Sequence, residues 1–148
     1  MGPMPTGNAA APQREVRYKG VHCALSLHRL SKDVVLLRIS GTDFGESGEA
    51  PMAALDEWIA EGGPFRLFID ARNVRGASIS VSEDWAAWLR ANRRPLRSVM
   101  MLTGSRLIHV TAEFVRRFSA LHGTMRITAD ALVFEAALSY ALNPRRQP

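Results

Sequence analysis

The sequence predicts an α/β domain with a mixed, mostly parallel five-stranded sheet, an N-terminal β-hairpin and four helices. Two apolar runs, over 22–29 and 34–39, are separated by the polar turn Ser31-Lys32-Asp33, which is typical of a hairpin. Downstream, short apolar runs alternate with stretches of helical periodicity, and this alternation indicates successive βα units with right-handed crossovers. The 148 residues are 47% hydrophobic and 22% charged, as expected for one globular domain.

Each element has its own signal in the sequence. The predicted elements are strands over 22–29 and 34–39, a helix over 51–61, a strand over 65–69, a helix over 81–93, a strand over 98–103, a helix over 105–122, a strand over 125–127 and a helix over 130–141. The stretch 71–79 is predicted to be a loop. In 22–29, Cys23, Leu25 and Leu27 alternate with polar residues, so one face of that strand is predicted to be buried.

Helix ends are indicated by capping residues. Ser80, with Glu83 three residues later, fits a capping box, and Asp130 is suited to cap the last helix. Gly123 is predicted to follow the end of the third helix. In that third helix, one apolar stripe is predicted to face the core, and it consists of Leu107, Val110, Phe114, Phe118 and Leu121.

The chain divides into a leader, one domain and a tail. Residues 1–16 are rich in Gly, Pro and Ala and lack an apolar period, so they are predicted to be a flexible leader. Residues 17–142 form the single predicted domain, and 143–148 are a loose tail that starts with the helix-stopping Asn143-Pro144. The leader has no secretory signal pattern, and a cytoplasmic location is expected.

The composition argues against several classes of function. The net charge is +5, but the 17 Arg residues are spread along the chain without interleaved aromatics, so nucleic acid is not an expected partner. Arg90, Arg93, Arg94 and Arg97 form the one acid-free cluster, which is either a solvated helix end or a surface for an acidic partner or lipid headgroups. No catalytic, nucleotide or zinc motif occurs, so we expect no enzyme activity, cofactor or metal.

Three strings carry a resemblance to a known family. VVLLRISG (34–41), ALDEWIAEGGPFRLFIDARNV (54–74) and SVMMLTGS (98–105) lie in the layout of the STAS and SpoIIAA-like group, with a Trp-bearing helix between the last two. The resemblance covers about 23–142 and implies a β-α superhelix with helices mainly on one side of the sheet. It also implies a regulatory protein, and the group is often joined with the CRAL-TRIO lipid-transfer fold.

The resemblance also suggests where a switch would lie. In the anti-sigma-factor antagonists of the group, a strand ending in Asp precedes an Asp-Ser-Ser-Gly loop whose Ser is phosphorylated. Asp70 resembles the strand-end aspartate, and Ser78 and Ser80 lie near the position of the phosphorylated residue. The sequence here is Ser78-Ile79-Ser80-Val81, so the Asp and the Gly of that motif are absent. Arg72 and Arg75 lie close enough in sequence to pair with a phosphate on either serine.

Two further sets of residues are candidates for ligand contact. Gly104-Ser105-Arg106 opens a helix, where free N–H groups favour an anion; alternatively, Ser105 is an N-cap and Arg106 a solvated side chain. Trp85 and Trp88 share a helix and either line an apolar pocket or belong to the core.

These observations favour a non-catalytic regulatory or scaffolding STAS-like module that acts through protein–protein contact. The alternative, suggested by the CRAL-TRIO resemblance, is a carrier or sensor of a small lipophilic or anionic ligand. The first function predicts an exposed apolar patch near 78–88, and the second predicts an apolar cavity of a few hundred cubic ångströms. The oligomeric state is left open.

Overall fold

The computed structural model describes residues 14–121 and 123–144, which form a six-stranded sheet with four helices. The elements in chain order are β1 (Arg14–Lys19), β2 (Cys23–Ser31), β3 (Val34–Asp43), α1 (Ala50–Gly62), β4 (Phe65–Ala77), α2 (Ile79–Ala91), β5 (Leu96–Thr103), α3 (Arg106–Ser119), β6 (Met125–Thr128) and α4 (Ala131–Leu142). None of these helices is both long enough and apolar enough to cross a bilayer.

The order of the strands across the sheet is the same as their order in the chain. The pairs β1–β2 and β2–β3 are antiparallel, and the pairs β3–β4, β4–β5 and β5–β6 are parallel. The predicted mixed, mostly parallel α/β sheet with four helices is therefore confirmed, as is the hairpin between β2 and β3.

The sheet has six strands and not the predicted five, because β1 was not expected. Only Val16 and Tyr18 of β1 pack against the core, while the other four residues of the strand are charged. Two apolar positions are too few to distinguish a strand from a leader in the sequence. Residues 14–16 of the predicted leader thus belong to β1, whereas 1–13 and 145–148 lie outside the described residues, and the boundaries at 17 and 142 stay a prediction.

Successive side chains of each strand point to opposite faces of the sheet, and apolar side chains form one core on each face. Helices α1, α2 and α3 cover the first face, where Leu27, Leu37 and Leu67 are fully buried. Helix α4 covers only part of the second face, by packing Phe134 against Phe68 with ring centroids 5.8 Å apart. This arrangement leaves the β1 to β3 end of the second face without a helix.

Strand β4 is much longer than predicted, and the expected loop over 71–79 is wrong. The strand runs to Ala77, which pairs with Asp43 at the end of β3. Ala71 and Val74 are buried on the core face, but register shifts between the two strands break the alternation that would show this in the sequence. Asp70 therefore lies within β4 and not at its end.

Two of the three capping predictions are corrected. Ser78, and not Ser80, is the N-cap of α2, because its side chain accepts a hydrogen bond from the N–H of Val81. Helix α3 ends at Ala120 in the left-handed conformation (φ 63°) rather than at Gly123. The N-cap of α4 at Asp130 is as predicted.

Candidate functional site

The residues proposed as a switch lie in two separate places. Asp70 faces the second side of the sheet in the middle of β4, whereas Ser78 and Ser80 lie at the start of α2. Eight residues of extended strand separate Asp70 from Ser78, which is roughly 25 Å at the usual rise of a strand. The structure does not bring Asp70 and Arg72 together with the two serines.

Ser78 and Ser80 themselves differ in environment. The Ser78 hydroxyl oxygen accepts from Val81 N–H at 3.2 Å, so it satisfies one of the free donors of the helix. Ser80 is exposed in the first turn of α2. An N-cap role accounts for Ser78, and only Ser80 is freely presented to solvent.

Asp70 and Arg72 form a network that joins the sheet to α4. Asp70 is buried, and its Oδ1 accepts from Arg72 Nε at 3.0 Å and from Arg72 N at 3.2 Å. Arg72 also donates to Glu135 of α4 at 2.7 Å. The hydrogen bonds to the two carboxylates, that with Asp70 first, raise the pKa of Arg72 above its ordinary value. Both carboxylates are thus already engaged, which argues against a catalytic acid at Asp70.

The segment Gly104-Ser105-Arg106 is explained by local packing. Ser105 caps α3 by accepting from Ile108 N–H at 3.2 Å. A Cβ on Gly104 would lie 2.0 Å from the carbonyl oxygen of Arg72, so only glycine allows the β5–α3 connection to approach β4. The side chain of Arg106 is exposed.

The two tryptophans of α2 have different roles. Trp88 is buried, and its Nε1–H donates to Asp56 of α1 at 2.8 Å. Trp85 is half-buried and meets Trp88 edge to face, with centroids 6.0 Å apart. Trp85 also lines an apolar cleft of about 80 Å³ between α2, α3 and the sheet. This volume is well below the few hundred cubic ångströms of a pocket for a small organic ligand.

Helix α3 differs most from the prediction. Its buried residues are Ile108, Ala112, Val115 and Ser119. The predicted core stripe is instead exposed for Leu107 (64%), Val110 (60%), Phe114 (36%) and Phe118 (56%), and only Leu121, beyond the helix, is buried. We call these four exposed residues the α3 stripe. The rings of Phe114 and Phe118 lie against each other in the stripe, with centroids 4.3 Å apart.

The sequence does contain a pattern that explains why the α3 stripe is exposed. The helix carries two adjacent apolar rows, one with Leu107, Val110, Phe114 and Phe118 and one with Ile108, Ala112 and Val115. At 100° per residue the two rows together span about 200°, roughly twice the arc that a helix on a sheet buries. One of the two rows is therefore exposed to solvent. The row with the small residues Ala112 and Ser119 is buried, since it lets the helix approach the sheet closely.

Cationic side chains border the α3 stripe. Arg106 and Arg117 of α3 are exposed, as are Arg90, Arg93 and Arg94 at the end of α2. None of these five forms an ion pair within 14–121 and 123–144. Helices α2 and α3 connect parallel strands, so they run in the same direction and their C-terminal ends lie at the same end of the domain. The end of the α3 stripe that carries Phe118 is thus bordered by positive charge.

Side chains suited to metal or nucleophilic chemistry are not brought together in the part of the chain that the structure describes. Among the described residues, no three His, Cys, Asp or Glu side chains come together as a metal site would require. His109 and Glu113 are an ion pair at 3.7 Å on one turn of α3. Burial, with smaller contributions from Asp43 and Glu46, raises the pKa of the Cys23 thiol to about 11, so this thiol is a poor nucleophile.

Comparison with known proteins agrees with the fold. No family model and no curated protein matches the sequence. An uncharacterised DUF3478-family protein from Shewanella loihica PV-4, described as having a SpoIIAA-like fold, superimposes with a TM-score of 0.57 at 16% identity, over 82% of this chain and 98% of its own. The anti-sigma factor antagonist SpoIIAA in its unphosphorylated form gives a TM-score of 0.55 at 16% identity, over 78% and 96%.

The chain accordingly has a SpoIIAA-like fold. The resemblance drawn from VVLLRISG and the two other strings is confirmed at the level of fold.

Proposed function

We propose that the protein is a non-catalytic regulatory or scaffolding STAS-like module of the cytoplasm, which binds a partner protein through the α3 stripe. The observation that carries this proposal is the exposure of Leu107, Val110, Phe114 and Phe118 on one helix face. Large apolar side chains that adjoin one another on a surface are typical of sites of protein contact, whereas isolated ones are ordinary. The fold is shared with an anti-sigma factor antagonist, and this supports a regulatory role.

The charge around the stripe defines the chemistry of the partner. Arg106 and Arg117 border the apolar row, and Arg90, Arg93 and Arg94 lie at the same end as Phe118. A complementary surface would place apolar side chains on the stripe and acidic side chains opposite these arginines. A second copy of this chain would bring like charges together, so we propose a different protein that carries an apolar segment bordered by Asp and Glu.

A double substitution in the stripe tests this function. Phe114→Asp with Phe118→Asp removes the two aromatic anchors and adds repulsion toward an acidic partner. Leu132→Asp on α4 is the matched control, because Leu132 is 80% exposed and lies on the other face of the sheet. Partners cross-linked in the native host are identified by mass spectrometry, and each is then purified and titrated against the three proteins by calorimetry.

We expect a partner that binds the wild type and Leu132→Asp equally and loses about a hundredfold in affinity with the double variant, since aromatic anchors at an interface contribute 2 kcal/mol or more. Partners that bind all three proteins alike would contradict the proposal. Circular dichroism and melting temperatures establish that the variants fold.

The alternative function, a carrier of a lipophilic ligand, has weaker support. The apolar cleft beside Trp85 has a volume of about 80 Å³, so α2 and α3 would have to separate before an acyl chain could enter. Native mass spectrometry of the protein from its own host distinguishes the two functions. A lipid adduct that persists in the double variant would favour the carrier.

A further inference from the structure

The uncovered end of the second sheet face contains a hollow of about 660 Å³. Strands β1 to β4 form its floor, and Glu135 of α4 lies at one side. This face is opposite to α2 and α3, so it is separate from the α3 stripe. The volume is in the range of pockets that bind small organic molecules.

The shape of the hollow comes from a contrast in side-chain length. Its floor carries the short side chains of Ala24, Ser26 and Ser40. The register places Ser26 between Arg17 on one neighbouring strand and Arg38 on the other. Strands lie about 4.8 Å apart, so the two arginine positions are about 10 Å from each other with the serine hydroxyl between them.

The acidic groups at the hollow are already paired. The buried carboxylate of Asp70 accepts two hydrogen bonds from Arg72, and Glu135 accepts one from the same guanidinium. At the edge, Glu15 accepts from Arg17. These contacts leave little negative charge free to neutralise further cations.

Two cations therefore stay available. The nearest acid to Arg38 is Asp70, with Nε and Oδ2 3.7 Å apart, which is too long for a hydrogen bond, and the side chain is 57% exposed. Lys19 forms no ion pair within the part of the chain that the structure describes. Both line the hollow, so their N–H groups can bind an anion there.

A neutral donor lies on the strand next to Arg38, at the position that pairs with it. Ser26 Oγ and His28 Nε2 are 2.9 Å apart. With the ring proton on Nε2, the imidazole donates to the hydroxyl oxygen, and the hydroxyl proton of Ser26 is free to point into the hollow. Two cationic donors and one hydroxyl donor are a combination suited to a carboxylate or a phosphate group.

We propose that this hollow binds a small organic anion, whose carboxylate or phosphate group is held by Arg38, Lys19 and the Ser26 hydroxyl. An uncovered antiparallel sheet face is polar in any case, so the contrary possibility is a merely solvated surface. What distinguishes the hollow from such a surface is that its acids accept hydrogen bonds from Arg72, whereas the guanidinium of Arg38, at 3.7 Å from Asp70, and the amine of Lys19 donate no hydrogen bond to an acid within the described residues.

An NMR titration distinguishes an anion-binding hollow from a solvated polar surface. The probes are inorganic phosphate and succinate, added separately to the full chain at constant ionic strength, and amide shifts are followed for Ser26 and Arg38. We expect saturable shifts with at least one probe, and Arg38→Gln should weaken that binding roughly tenfold or more, since a charge-assisted hydrogen bond is lost. The probe that binds identifies the preferred group.

Arg126→Gln is the control, because Arg126 is exposed on β6 and lies outside the hollow, so the same charge is removed elsewhere. Unchanged binding by Arg126→Gln and by the double variant of the α3 stripe is expected. Shifts that never saturate, or that both arginine substitutions weaken equally, would show a general charge effect and overturn the proposal. A negative result in the partner-binding test of the α3 stripe would leave the anion-binding proposal unaffected.

Discussion

Asp56 and Trp88 connect two helices that touch the sheet side by side: the Trp88 indole N–H donates to Asp56 Oδ1 at 2.8 Å. Asp56 lies on the exposed side of α1, and Trp88 is buried in α2. The bond satisfies the polar edge of an otherwise apolar side chain, and it fixes the position of α2, on which the cleft beside Trp85 depends.

Removal of the acceptor in this pair should destabilise the fold. Asp56→Ala leaves the buried indole N–H without its partner, so we expect a loss of about 1–2 kcal/mol in the free energy of unfolding. Glu57→Ala is the control, because Glu57 is the exposed neighbour on the same helix. Urea denaturation measures both variants, and equal stabilities for the two would show that the bond contributes nothing.

The core on the second face depends on Phe68. Its ring packs edge to face on Phe134, and the residue is 4% exposed. Phe68→Ala opens a cavity under α4, for which we expect a loss of about 3–5 kcal/mol. Phe44→Ala, at a position that is 58% exposed, should change stability by less than about 1 kcal/mol. A small effect at Phe68 would mean that α4 is not packed as described.

The two serines at the start of α2 should respond differently to substitution. Ser78→Ala removes the N-cap and should cost about 1 kcal/mol, whereas Ser80→Ala should have an effect within about 0.5 kcal/mol. Thermal unfolding of the two variants checks this order. The reverse order would restore the capping box that the sequence predicted at Ser80.

The thiol of Cys23 should react slowly with alkylating reagents, because it is buried. With a pKa of about 11, the thiol is almost entirely protonated in the native state near neutral pH. We expect alkylation by iodoacetamide at about pH 8 to be at least roughly a hundredfold slower in the folded protein than in guanidinium. Rapid labelling of the folded protein would show that β2 opens at the end where Cys23 lies.

His28 should make stability depend on pH. Burial of its ring lowers the pKa of His28 below 6.5; Glu15 opposes this, and Arg38 and Arg17 reinforce it. The unfolded chain then takes up the proton at a higher pH than the folded protein does. Stability should therefore decrease as the pH falls through about 6.5, and the slope should be smaller in His28→Gln. Urea midpoints between about pH 7.5 and pH 5.5 test this, and identical slopes would contradict it.

The sequence was informative where a local pattern of residues decides the structure. The β2–β3 hairpin, the βα alternation and the Asp130 cap were all predicted. Strand β4 was cut short at Asp70, because its last residues owe their extended conformation to pairing with β3, a tertiary contact that leaves no local periodicity. This error also placed Asp70 at the end of the strand, whereas the structure has Asp70 within β4 and Ser78 at the start of α2.

The α3 stripe shows a different limit of sequence reasoning. Local periodicity revealed that Leu107, Phe114 and Phe118 share a face, but not which face turns inward. That choice depends on the residues that α2 and the sheet present to α3, and the small side chains of Ala112 and Ser119 meet that surface. The hollow under Arg38 was missed for a related reason, since its members come from separate strands and meet only through the register.

The chain-order arrangement of the strands has a consequence for how the protein is made. Each strand from β2 to β6 pairs with the strand that precedes it in the sequence, so no strand waits for a distant segment. The partner of each strand from β2 onward has therefore already been synthesised when that strand leaves the ribosome, so a growing chain can add one strand and one helix at a time. The last unit, β6 with α4, is the one that completes the second core over Phe68.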